Sequence, residues 1–292
     1  MRSRCWLLVM LKCLAVAVQP SAIRFSETDP RPASETTIRF NLYRGYLILA
    51  QGSAGPFNNL NLLLDTGTSS TILDQRLARR LHLDEKPAVI AITNGRVHAR
   101  MTTAPSVGIG PLRRNNLPVF VQDLSFLQRA LAVPVDALIG LDVLGQVSFT
   151  VDYTSREIHF GSPTTSPISI PLRLKEGLAI VEAELNQAPV HLLVDTGGSS
   201  LIIFETRMPK SVSSVPISGV QRSTSLTGNF ERKQVWLHSL KLGEAEFAQE
   251  PAFVVRDHID AGRDFDGLLS PAALGITRIT FDLQRGVLAF GR

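Results

Sequence analysis

The chain repeats itself at an interval of 130 residues. Asp65-Thr66-Gly67 returns as Asp195-Thr196-Gly197, and Asp136-Ala-Leu-Ile-Gly140 returns as Asp266-Gly-Leu-Leu-Ser270, both 130 positions on. Phe149-Thr-Val-Asp152 and Gly161 have counterparts in Ile279-Thr-Phe-Asp282 and Gly291 at the same offset. Between these blocks the register drifts, and Gly110 and Pro118 match Gly243 and Pro251 at an offset of 133. Such an interval is too long for a solenoid module. It is the size of a domain, so the chain is two copies of one fold. Residues at equivalent positions can then meet across a two-fold relation.

Local patterning makes that fold all-β. Tyr46-Leu-Ile-Leu-Ala50, Asn61-Leu-Leu-Leu64, Val89-Ile-Ala-Ile92 and Val119-Phe-Val121 are short apolar runs bounded by Gly, Pro, Asn or Asp, as strands are. Thr93-Asn94-Gly95-Arg96 predicts a hairpin, because Asn-Gly supplies the positive φ angles of a type I′ turn. Asp74 to Leu81 predicts one short helix, N-capped by Asp74 with Leu77 and Leu81 on one face. Pro209 shortens its counterpart in the second half. The Ser/Thr/Pro-rich stretch after Gly161 marks the join, giving expected units of 23–161 and 168–292 with a linker at 162–167.

Each Asp-Thr-Gly follows an apolar run and precedes Ser-Ser and another apolar run. One such tripeptide is an ordinary turn after a strand. Two in matched settings can deliver two carboxyl groups to a single water. Two carboxyls at hydrogen-bond distance cannot both ionise, so one stays protonated and the pair titrates as a unit. The ionised member can act as general base, and the protonated one can stabilise a developing oxyanion. Asp65 and Asp195 are the candidate catalytic pair. Thr66 and Thr196 can place hydroxyls on the opposite loop. Gly67 and Gly197 permit the tight turn and bring amides to the carboxylates. Leu138-Ile139-Gly140 can brace the first loop, and Leu268-Leu269-Ser270 the second. The recurring Asp136 and Asp266 are expected as loop caps.

Composition narrows the rest. Residues 1–22 carry Arg2, Arg4 and Lys12, no acidic residue, and two apolar runs, which is the pattern of a secretory signal peptide. The expectation is export to the periplasm or the medium, with anchoring by an uncleaved N-terminal segment as the alternative. Both cysteines, Cys5 and Cys13, lie in this segment, so the remainder has no disulfide, thiol nucleophile or cysteine metal site. Without it the balance falls from +4 to +1, 27 basic against 26 acidic residues. The pI of about 9.3 therefore does not point to nucleic acid, and no basic cluster is interleaved with aromatics. The six histidines lack metal-ligand spacing. No metal and no cofactor is expected.

These motifs, over roughly residues 36–292, resemble the retropepsin-like aspartic proteases of the bacterial single-chain type, with two such domains in tandem. The resemblance implies a two-lobed all-β acid-protease fold, built from a duplicated β-barrel, and an endopeptidase acting on peptide or protein substrates as a monomer. It implies a dyad of Asp65 and Asp195, supported by Thr66, Gly67, Thr68, Thr196, Gly197 and Gly198. It also implies substrate-covering hairpins, the flaps, at Ile92–Val97 with Gly95 at the tip and around Thr227-Gly228-Asn229. Two positions depart from the family pattern. Gly198 stands where Ala, Ser or Thr is usual, and Ser270 where Gly140 has its counterpart. From the first, the dyad is expected to titrate higher than in pepsins, since Thr68 can donate a hydroxyl and Gly198 cannot. From the second, displacement of the second loop is expected. The competing class is a degenerate, non-catalytic peptide-binding protein that keeps the cleft.

Overall fold

The computed structural model describes residues 36–92, 95–161, 166–225, 228–257 and 264–292. The expected signal segment and most of the expected linker lie outside these residues. In the first half the strands are β1 (Thr36–Tyr43), β2 (Leu47–Ala54), β3 (Phe57–Leu64), β4 (Ile72–Asp74), β5 (Lys86–Ile92), β6 (Gly95–Ile109), β7 (Leu112–Gln122), β8 (Ala137–Ile139), β9 (Phe149–Asp152) and β10 (Glu157–Phe160). The second half repeats them as β11 (Ile168–Lys175), β12 (Leu178–Leu185), β13 (Ala188–Val194), β14 (Leu201–Phe204), β15 (Gly219–Ser225), β16 (Gly228–Leu242), β17 (Ala245–Val255), β18 (Gly267–Leu269), β19 (Arg278–Asp282) and β20 (Val287–Gly291).

The pairing repeats too. β3 runs parallel to β8 and β13 to β18, while β4 runs parallel to β7 and β14 to β17. β2 pairs with β3 and β6, as β12 pairs with β13 and β16. The local drift to an offset of 133 is structural: Thr103 faces Pro118 as Trp236 faces Pro251. Gly110 and Gly243 take positive φ, 53° and 59°, in the matched turns that follow β6 and β16.

The expected helix is α1 (Gln75–Arg80), and the Asp74 carboxylate accepts from the Arg76 amide at its N-terminus. In the second half a 3₁₀ turn at Glu205–Arg207 and the short α4 (Lys210–Ser213) flank Pro209 instead. α2 (Ser125–Leu131) and α3 (Leu141–Leu144) precede and follow β8. Among the described residues no helix is long and apolar enough to cross a membrane.

The halves are joined by a six-stranded antiparallel sheet in the order β1-β10-β9-β19-β20-β11. Its middle seam pairs Phe149 with Phe281 and Thr150 with Thr280. The two phenyl rings stack with centroids 4.8 Å apart, and with Phe160 and Phe290 they are fully buried in one apolar core that runs through both lobes. This seam fixes the lobes relative to each other, and so fixes where the two Asp-Thr-Gly turns meet.

Candidate active site

Each Asp-Thr-Gly turn leaves the end of a fully buried strand. Leu62, Leu63 and Leu64 are sealed between β2 and β8, and Leu192, Leu193 and Val194 between β12 and β18. A strand covered on both faces must be continuously apolar, which is why three aliphatic residues precede each Asp. The turn is anchored from behind: the Asp65 amide donates to the Ile139 carbonyl at 3.0 Å, and the Asp195 amide to that of Leu269 at 2.9 Å. Asp136 and Asp266 act as loop caps. Their carboxylates accept from the amides of Asn61 and His191, each at 2.8 Å.

The two turns interlock. The Thr66 amide donates to the Thr196 hydroxyl and the Thr196 amide to the Thr66 hydroxyl, both at 3.1 Å. The Thr66 hydroxyl donates onward to the Val194 carbonyl at 2.8 Å, and the Thr196 hydroxyl to that of Leu64 at 3.5 Å. In each turn the glycine amide donates to its own aspartate, Gly67 to Asp65 at 2.8 Å and Gly197 to Asp195 at 2.9 Å. The glycines are obligatory. A Cβ on Gly197 would stand 2.7 Å from the Asp65 carboxyl carbon, and one on Gly67 would stand 2.8 Å from that of Asp195. Each carboxylate thus lies against the opposite glycine, and both are 1% exposed.

Behind this symmetric pair the supports differ. In the first lobe the Thr68 hydroxyl donates to the Ser70 carbonyl, and the Thr68 carbonyl accepts from the Leu141 amide at 3.0 Å. Gly140 fits so closely that a Cβ there would be 2.9 Å from the Thr68 carbonyl oxygen. The Thr71 amide and hydroxyl both donate to Asp142, at 2.7 and 2.8 Å. Burial pushes the Asp142 carboxyl up to about 6, against the pull of those Thr71 hydrogen bonds. In the second lobe Gly198 replaces Thr68, Ser270 replaces Gly140, Pro271 replaces Leu141 and Ala272 replaces Asp142. The expected displacement of the second loop is not seen at the carboxylate. Its anchor to Leu269 and its Gly197 amide bond match those of the first loop.

The two candidate flaps lie on the β5–β6 and β15–β16 hairpins. Gly95 pairs with Ile92 and Gly228 with Ser225, so each glycine opens a strand instead of tipping the turn. The connecting residues, 93–94 and 226–227, lie outside the described residues, and with them Thr227. Gly95 has φ 150°, a value that only glycine adopts readily, which places it at the strand edge of the turn. The first hairpin reaches the other lobe: Ala91 is buried in a cluster otherwise formed by second-lobe residues, among them Leu178, Phe204, Phe253 and Phe265.

Sequence reasoning missed Arg232. It is buried on β16, stacks over Phe253 at 3.8 Å, and donates to Ser200 at 3.1 Å and Gln221 at 2.7 Å. Burial lowers its guanidinium to about 10, with Tyr46 of the first lobe acting in the opposite direction. Ser200 lies five residues past Asp195, so this cation sits beside the second turn. Only the alternation that puts Arg232 on the face of Phe230 could have signalled it.

A family model described as aspartyl protease matches the chain twice, at residues 54–143 and 181–272. No curated protein matches the chain. The two matches together cover more than half of the sequence, and each spans one Asp-Thr-Gly turn and the strand that braces it. This chain belongs to the aspartyl protease family, with two retropepsin-like domains in tandem.

Proposed function

We propose that the protein is an endopeptidase in which Asp65 and Asp195 share one activated water. The reading rests on the convergence of the carboxylates, each packed against the other's glycine. With one carboxyl protonated, the ionised partner takes a proton from the water as its oxygen attacks the scissile carbonyl carbon. The protonated carboxyl donates to the carbonyl oxygen as negative charge builds there. The tetrahedral adduct collapses with proton delivery to the leaving amine, and the pair returns to its singly protonated form. The Gly67 and Gly197 amides hold each carboxylate's inner oxygen in place throughout. The β5–β6 and β15–β16 hairpins serve as substrate-covering flaps in this reading, supported by the reach of Ala91 to the second lobe. The basic and apolar N-terminal segment supports a site of action outside the cytoplasm.

The test is mutational. Asp65→Asn and Asp195→Asn should each reduce hydrolysis of a diverse peptide library by at least about 10³-fold, with the double variant no worse, because residues acting as a unit are not additive. Peptide binding by the folded Asn variants, alongside a wild type that cuts nothing across the acidic range, would instead identify a peptide-binding protein.

A further inference from the structure

Three of the substitutions that separate the second loop from the first form one compensated exchange. Thr68 becomes Gly198, Gly140 becomes Ser270 and Leu141 becomes Pro271. In the first lobe a side chain at position 140 is forbidden by the Thr68 carbonyl, which the Leu141 amide holds close. Pro271 has no amide hydrogen, so the Gly198 carbonyl is released from the equivalent bond. That release makes room for the Ser270 side chain. Its hydroxyl then fills the space that a side chain at position 198 would take, since a Cβ on Gly198 would overlap the Ser270 Oγ. The same Cβ would stand 3.0 Å from the outer oxygen of Asp195, so the Ser270 hydroxyl lies beside that carboxylate.

Ser270 is 1% exposed, and its Oγ has no hydrogen-bond partner among the described residues. A buried hydroxyl without a partner is costly and needs an explanation. Here the explanation is proximity to Asp195.

We propose that Ser270 is a positioning residue for the second carboxylate, its hydroxyl donating to ionised Asp195. The proposal rests on the dyad reading and specifies how its two halves are supported differently. Rotation about the Ser270 Cα–Cβ bond would carry the hydroxyl toward the outer oxygen of Asp195 as charge settles there. The mechanistic consequence is that the hydroxyl beside Asp195 comes from the bracing segment after β18 instead of from the turn itself.

The experiment follows the Asp195 side-chain carboxyl by carbon NMR through a pH titration, assigned by its loss in Asp195→Asn, beside the pH profile of peptide hydrolysis. In Ser270→Ala the titration of the pair, read at the Asp195 carboxyl, should move up by about one pH unit, because a donor to the charged form is lost. The acidic limb of hydrolysis should move with it. The exchange variant Gly198→Ser with Ser270→Gly restores a hydroxyl from the other side and should return both toward wild type. Gly198→Ser alone, with Ser270 kept, should lose thermal stability because the two side chains compete for one space. If Ser270→Ala does not fold, Ser270→Gly recreates position 140 of the first lobe and carries the same test. An Asp195 titration unchanged by removal of the Ser270 hydroxyl overturns the proposal. The titration needs no turnover, so a wild type that hydrolyses nothing would sink the protease reading and leave this comparison decisive.

Discussion

Thr66 and Thr196 exchange hydrogen bonds in both directions, each amide donating to the other's hydroxyl at 3.1 Å. The exchange is not quite symmetric, because the Thr66 hydroxyl goes on to Val194 at 2.8 Å and the Thr196 hydroxyl to Leu64 at 3.5 Å. Replacing either threonine by isosteric valine strands a buried amide on the opposite loop, at a cost of about 1–3 kcal/mol. Thr66→Val should cost more than Thr196→Val, since it also removes the shorter onward bond. Urea denaturation of the two variants checks the order, and equal midpoints would mean that the 3.5 Å contact is as strong as the 2.8 Å one.

Gly197→Ala and Gly67→Ala should be inactive for a steric reason. Each added methyl would press on the opposite carboxyl group, at 2.7 or 2.8 Å from its carbon. Separation of the carboxylates by about an ångström should lower kcat by about 100-fold. Overpacking should also lower stability by about 1–3 kcal/mol. Steady-state kinetics on folded variants, with circular dichroism to establish folding, tests this. Near-wild-type kcat in either would remove the close approach from the mechanism.

Asp142 gives stability a pH dependence of its own. Its carboxyl sits at about 6 in the folded chain against 3.8 in the unfolded one, mainly through burial. The native state therefore holds this proton more tightly. Its contribution is fully present below about pH 4 and is lost as pH rises through 6. Asp142→Asn, which keeps a polar group beside Thr71, should flatten the fall in melting temperature between pH 4 and pH 6. A wild-type slope retained in that variant would assign the titration to other carboxyls.

Activity per chain should stay constant on dilution through the nanomolar range. Both candidate aspartates belong to one chain, and the seam between Phe149–Asp152 and Arg278–Asp282 already holds the lobes together. A specific activity that falls together with dissociation in light scattering would require a second copy.

Much of the arrangement was legible because duplication prints it twice. Asp65 and Asp195, the bracing Leu-Ile-Gly and Leu-Leu-Ser segments, the capping role of Asp136 and Asp266, and the Asp74 N-cap all follow from short-range pattern. What stayed hidden depends on long-range packing. The pairing of Asp142 with Thr71 spans 71 residues, and no local pattern connects them. Arg232 looks like any strand arginine until Phe253 and Ser200 enclose it. Ser270 read as a disruption, because its compensations at Gly198 and Pro271 act through space. Gly95 was read as the tip of the first hairpin from Asn94-Gly95, whereas it already pairs with Ile92 in the ladder.

The seam of the six-stranded sheet carries one more consequence. Thr150 and Thr280 face each other there with hydroxyls 2.8 Å apart, and every strand on one side comes from residues up to Phe160, every strand on the other from Ile168 onward. Among the described residues no strand is exchanged across it. The chain can therefore be severed after Gly161 without unpicking either barrel, leaving two fragments that recognise each other through complementary sheet edges. Each fragment would own one aspartate and be inert by itself. On the proposed dyad mechanism, peptide hydrolysis would then report on their reunion.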